Sequence, residues 1–171
     1  MMRSKPIKII GFSLLTLAVL TWLLSQFFTV TLTEEVRLVD ASGILMHAIY
    51  DGATAEEIAK VIQANPQWAR EPIYDGWYAV HCAGQAGRPD ILRLLLDHGA
   101  DINARGPLGA NVVVSAFDSK DPATLAFVLD HGANPHVRLS DGSTPLQYIR
   151  EHGTPELRRV LDKRGLPLKS P

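Results

Sequence analysis

The sequence predicts an all-α fold: a solenoid of helix-turn-helix units with projecting hairpins, preceded by one transmembrane helix. Two observations carry that expectation. Gly76, Gly109 and Gly142 are spaced 33 residues apart, as are Pro89, Pro122 and Pro155 and then Gly99, Gly132 and Gly165. Three phases of one period thus keep one register. Units of this length are too small to bury an apolar face alone and must stack on their neighbours, so function is expected on a surface rather than in a closed pocket. The second observation is that no charged residue occurs between Ile9 and Thr33.

Within that stretch Ile9 to Phe28 supply 20 mostly apolar positions, which as a helix would span roughly 30 Å, the hydrocarbon thickness of a bilayer. A cleaved signal peptide is the competing reading, since Arg3, Lys5 and Lys8 form a basic start. The apolar run exceeds the roughly 7 to 15 residues of a signal core, and no small-x-small site follows it. An uncleaved anchor over residues 9–30 is therefore expected. Residues 1–8 carry the Lys/Arg excess, while Glu34, Glu35, Arg37 and Asp40 follow the span, which holds the N-terminus in the cytoplasm and translocates the rest. The absence of an Asn-x-Ser/Thr acceptor favours a bacterium, and so an inner-membrane protein whose repeats lie in the periplasm. Residues 31–40 form a linker that reaches at most about 35 Å.

After anchor and linker, residues 41–171 make one domain, long enough for a core if elongated. A formal net charge of −1 leaves no basic footprint, and nucleic acid is not an expected partner. The single cysteine, Cys82, excludes an internal disulfide; mid-helix beside Ala83, it reads as a small buried residue.

Each unit can be justified residue by residue. Asp141-Gly142 is turn chemistry, Thr144 a helix cap and Pro145 a first helical residue, where a missing N–H costs nothing. Leu146 and Ile149 give a short apolar face that ends at Gly153. Thr154-Pro155 repeats the cap, and Leu157, Val160 and Leu161 form the face of a second helix ended by Gly165. The preceding units fit the same template: His81 and Ala83, then Ile91 to Leu96; Val113 to Phe117, then Leu125 to Leu129. Ala100 to Leu108 and Ala133 to Ser140 are polar, extended and turn-rich, as projecting hairpins are. A degenerate copy precedes these. Gly43 to Gly52 supplies its first helix and Thr54-Ala-Glu-Glu57, a capping box, opens its second; Asn65-Pro66 replaces the glycine stop, and two extra residues separate it from the next unit. The repeats are placed at about 41–72, 73–105, 106–138 and 139–168, with Leu166 and Leu168 closing the far end.

Asp141-Gly-Ser-Thr-Pro-Leu146, His98-Gly-Ala-Asp-Ile-Asn-Ala104 and His131-Gly-Ala-Asn134 resemble the turn, first-helix and helix-ending motifs of the ankyrin repeat family. The resemblance covers three registered units from about Ile73 onward. Tyr78-Ala79 and Asn111-Val112 stand where the family has Thr-Pro, and Lys120 replaces a mid-repeat glycine, which predicts looser turns there. His81 matches the family's structural histidine.

Six histidines invite a metal site, but His98 and His131 sit in the last turns of helices, where a donor complements free carbonyls, and Arg164 takes their place in the final unit. No HExxH or paired-cysteine spacing is present. No GxSxG or phosphate loop occurs, so neither an enzyme, a cofactor nor a small-molecule substrate is expected. Trp68, Tyr74 and Trp77 cluster on the first hairpin and suggest a contact surface, the alternative being packing between that hairpin and the anchor-proximal repeat. Ala110 and Ser143, the counterparts of Trp77, are small, so the fold is not expected to need a large ring there. The family resemblance implies that a partner protein touches the hairpin tips and inner helix surface. On matching positions these are Tyr74, Asp75, Trp77, Gln85 and Ala86; Pro107, Leu108, Ala110, Asp118 and Ser119; and Ser140, Ser143, Glu151 and His152. The sequence thus points to a monomeric, membrane-anchored interaction module, a scaffold or an inhibitor such as an immunity factor. An accessory subunit of a membrane or periplasmic enzyme is the alternative, and an enzyme in its own right the third and least favoured reading.

Overall fold

The computed structural model describes residues 41–166. The predicted anchor Ile9–Phe28, the linker and Leu168 lie outside the described residues. Among those described, no helix is long and apolar enough to cross a membrane.

Among the described residues, eight α-helices follow one another as pairs: α1 (Ala41–Tyr50) and α2 (Ala55–Ala64), α3 (Ala79–Gln85) and α4 (Pro89–Asp97), α5 (Val112–Asp118) and α6 (Pro122–Asp130), α7 (Pro145–His152) and α8 (Pro155–Asp162). From α3 onward both members of each pair start 33 residues after their counterparts in the pair before. The described residues are mostly helical but not wholly so. Strands β1 (Pro72–Tyr74) and β2 (Trp77–Tyr78) form an antiparallel ribbon at the first hairpin.

Helix starts follow the capping chemistry. Thr54 Oγ1 accepts the Glu57 N–H at 3.2 Å while Glu57 returns a carboxylate oxygen to the Thr54 N–H at 2.8 Å. Thr144 and Gln147 repeat the exchange at 3.2 and 2.8 Å. Asp121 caps α6 through the Ala123 and Thr124 N–H groups, and proline occupies the first turn of α4, α6, α7 and α8.

Helix ends are equally regular. His98 and His131 each donate Nδ1–H to the carbonyl four residues back, Leu94 and Phe127, at 2.8 Å; Arg164 does the same to Val160 at 3.0 Å. Their capping role accounts for their common position. Asn65, standing in for the glycine stop, bonds the Val61 carbonyl.

The core runs the length of the stack: Leu45, Ile49, Ile58 and Ile62, then Ile91, Leu92 and Leu95, then Val113, Leu125 and Val128, then Ile149, Leu157 and Leu161. Leu166 packs against its end. Where α3 approaches α5, Gly84 makes room, since a Cβ there would stand 3.1 Å from both Ser115 Cβ and Val112 Cγ2.

Two local expectations change. Trp68 is not on the hairpin: Asn65-Pro66 ends α2 and starts a 3-10 turn, Pro66–Ala69, from which Trp68 packs onto the core. Lys120 does not loosen its turn. It takes φ 58°, close to the 67° of Gly87 at the same place in the previous repeat.

A candidate partner-binding face beneath the hairpin tips

The tips are shaped by left-handed backbone. At the first, Asp75 and Gly76 have φ of 42° and 79°; at the second, Leu108 and Gly109 have 55° and 72°. Two successive positive values are the pattern of a type I′ turn, which asparagine, aspartate and glycine tolerate and leucine does not. Ala110 N–H closes the second turn onto the Pro107 carbonyl at 3.0 Å, and Ser140 N–H bonds the Leu108 carbonyl at 2.9 Å, tying second tip to third. The Leu108 side chain gains nothing from burial, being 77% exposed.

Under the tips lie two grooves that share one wall, Trp77. The smaller, about 170 Å³, is bounded by Met46, Tyr50, Tyr74, Trp77, His81, Cys82 and Gln85. The larger, about 370 Å³, is bounded by Trp77, Pro107, Leu108, Ala110, Val114, Leu139, Ser140, Asp141 and Tyr148. Both are mostly apolar, and neither encloses its contents as a catalytic cleft does.

The polar groups here hold the walls. His81 Nδ1 accepts the Tyr78 N–H at 3.1 Å, which leaves Nε2–H to donate to the Ala104 carbonyl at 3.2 Å. The ring is therefore the neutral tautomer, and burial pushes its pKa down to about 4. Trp77 stands edge-on to it, centroids 5.3 Å apart. Tyr50 donates its hydroxyl to Gln85 Oε1 at 2.5 Å, and burial raises that phenol to about 12. Burial likewise raises the Cys82 thiol to about 11, so it stays protonated and unreactive at neutral pH.

Of the candidate residues, Tyr74, Trp77 and Gln85 edge the smaller groove, and Trp77, Pro107, Leu108, Ala110 and Ser140 the larger. Ala110, 8% exposed, contributes only floor. Asp75 is exposed at the first tip. Ser143 is half-buried, its N–H and hydroxyl both given to Asp141 Oδ1. The rest are not brought into either groove. Ala86, Asp118, Ser119, Glu151 and His152 lie at or just past the ends of α3, α5 and α7. Ser119 is committed to its own loop, donating to the Ala116 carbonyl and accepting the Asp121 N–H. Glu151 pairs loosely with Arg150 at 3.8 Å, His152 leans on Tyr148, and burial raises the Asp118 carboxyl.

The sequence reading missed Met46, Tyr50, Val114, Leu139 and Tyr148. Tyr148 left a faint signal, as a ring one place before buried Ile149 on a flank otherwise made of Gln147, Arg150 and Glu151. The small counterparts of Trp77, Ala110 and Ser143, imply that the fold needs no large ring at 77, but a compensation opposes that expectation. A Cβ at Gly106 would stand 3.2 Å from the Trp77 ring. One repeat on, the same two positions hold Ala110 and Leu139, both in the wall of the larger groove. Bulk has moved from one partner to the other.

Comparison with known proteins agrees with this architecture. The profile of the family described as Ankyrin repeats (3 copies) matches residues 16–106, just over half of the chain. The NF-kappa-B inhibitor cactus of Drosophila melanogaster is 35% identical over 101 residues, 57% of this chain and 20% of that protein. The BTB/POZ domain and ankyrin repeat-containing protein NH5.2 of Oryza sativa subsp. japonica is 40% identical over 78 residues, 44% of this chain and 16% of that protein. A putative ankyrin repeat-containing protein of Treponema pallidum (strain Nichols) is 37% identical over 75 residues, 44% of this chain and 25% of that protein. The chain thus spans a quarter or less of the length of these relatives. With capped helix pairs recurring in register and the family profile matched over half its length, this chain belongs to the ankyrin repeat family.

Proposed function

We propose that this chain is a membrane-anchored interaction module that docks another protein onto the face beneath its hairpin tips, acting as a scaffold or an inhibitor, such as an immunity factor, on the periplasmic side of a bacterial inner membrane. One observation carries the choice of face. Five large hydrophobic side chains are left exposed among the described residues, and four of them, Tyr50, Tyr74, Leu108 and Tyr148, line the two grooves. Large apolar residues scattered at random would not gather so, and tyrosine-rich apolar patches mark protein interfaces. The inhibitor reading is supported by the name of the cactus relative. Anchor and orientation rest on the uncharged run from Ile9 to Thr33 and the basic residues before it.

Photo-crosslinking in cells tests the face. A photoreactive phenylalanine at Tyr148 should trap a partner protein, while the same probe at Glu56, exposed on α2 away from both grooves, should not. An adduct from Glu56 alone would overturn the assignment. A reporter fused after Pro171 should be active only in the periplasm, and cytoplasmic activity would reverse the topology.

A further inference from the structure

The two tips that flank the larger groove each carry an arginine at the same place in its repeat, Arg105 and Arg138, 33 residues apart. Both are exposed. Arg105 Nη2 donates to the Arg138 carbonyl at 2.5 Å, and Arg138 Nη1 donates to the Gly142 carbonyl at 3.2 Å. Each guanidinium is therefore held in place by a carbonyl while most of its five N–H donors remain open. Among the described residues neither one is in an ion pair, although Arg88, Arg159 and Arg164 all are. Arg105 also lies against the second tip, since a Cβ on Gly109 would meet its Nη2 at 2.7 Å. The sole carboxylate in that wall, Asp141, spends one oxygen on Ser143.

We propose that the partner presents an apolar side chain flanked by carboxylates: the Trp77–Tyr148 groove takes the apolar group and the Arg105–Arg138 pair takes the acid. This rests on the docking face proposed above. Two like charges one repeat apart repel slightly in the free protein, and an acidic partner removes that repulsion. Because backbone carbonyls already orient both guanidiniums, little side-chain freedom is left to lose on binding, and their planar donors suit bidentate carboxylate contact. At the second and third tips two cations stand against one half-occupied carboxylate, and this local positive balance favours acidic segments and repels basic ones.

The test uses the full-length chain in mild detergent, captured by a C-terminal tag and panned with a phage-displayed library of random 12-residue peptides. Enriched peptides should join an aromatic or leucine residue to nearby aspartate or glutamate. Wild-type affinity for a synthetic copy of such a peptide should fall severalfold as salt rises. The Arg105→Gln/Arg138→Gln variant should bind at least tenfold more weakly, whereas Lys120→Gln, a cation elsewhere on the surface, should bind as wild type. Charge reversal guards against mere misfolding: Arg105→Glu/Arg138→Glu should recover binding to a peptide whose acids are changed to lysine. Enrichment of neutral or basic peptides, or unchanged affinity in the double glutamine variant, overturns the carboxylate assignment. If Tyr148→Ala still abolishes binding in that case, the docking face survives; if it too has no effect, the face itself is refuted.

Discussion

At position 77 a tryptophan occupies space that a glycine at 106 leaves open, and the fit is tight enough that even a methyl group would meet the ring at 3.2 Å. Trp77→Ala should therefore cost about 2 kcal/mol of stability, below the range for a fully buried aromatic because the ring is half-buried. Gly106→Leu alone should also destabilise, by overpacking. Together they rebuild the Ala110–Leu139 arrangement of the next repeat, so urea denaturation should show the double variant more stable than the sum of the singles by at least about 1 kcal/mol. Additive losses would mean that the two positions do not exchange volume. His81 allows a second prediction at this scale. Its folded pKa of about 4 lies below the ordinary value of 6.5, so the unfolded chain binds the extra proton, and the stability present above pH 6.5 is lost as pH falls toward 4. Between pH 7 and pH 5 that loss is about 2 kcal/mol. Gln147 holds the equivalent place in the last repeat, where its Oε1 accepts the Thr144 N–H at 2.8 Å. His81→Gln should therefore fold and should show about 2 kcal/mol less pH dependence over this interval than wild type.

Among elements, the hairpin tips are where local energetics and the sequence disagree most. A leucine in the left-handed region costs about 1 kcal/mol, and nothing in the packing around Leu108 offsets it. Leu108→Asn, which gives the Asn-Gly pair favoured in such turns, should raise the unfolding free energy by about 0.5 to 1 kcal/mol while weakening partner capture. A variant that is less stable, or equally able to capture the partner, would remove the functional reason for the leucine. This residue also marks what the sequence could and could not reveal. The 33-residue register was legible as a recurrence along the chain, and the Thr54 and Thr144 caps and the His98 and His131 helix ends were legible because each depends on residues three or four apart. The groove was not. Leu139 and Val114 reach it only once neighbouring repeats are stacked, and a β-turn type depends on backbone sign rather than on composition. Leu108 stands out in the sequence only by its matching position, which says nothing of its left-handed backbone.

For the whole molecule, stability is a sum over repeats and the contacts between them. Leu95 sits in the middle of that sum, fully buried on α4, and Leu95→Ala should lower the global unfolding free energy by about 2 to 5 kcal/mol; a loss below about 1 kcal/mol would show that it does not face the stack. Arg164 acts at the edge of the stack. Its guanidinium grips both Asp130 oxygens, at 2.7 and 2.6 Å, and the Ala126 carbonyl at 3.3 Å, fastening the last repeat to the one before. Arg164→Ala should speed hydrogen exchange in α8 while leaving α4 amides as protected as before. Equal acceleration in both helices would mean that the terminal repeat cannot open by itself. The exchange of bulk between Trp77–Gly106 and Ala110–Leu139 also governs how such a chain can diverge. Drift by single substitutions has to pass through either a hole or a clash, whereas duplication or recombination of a 33-residue stretch phased to hold both 77 and 106, across the boundary between two units, carries both positions together. Lineages built by copying stretches in that phase can therefore vary the breadth of this groove freely, and crossovers falling between residues 77 and 106 would be purged.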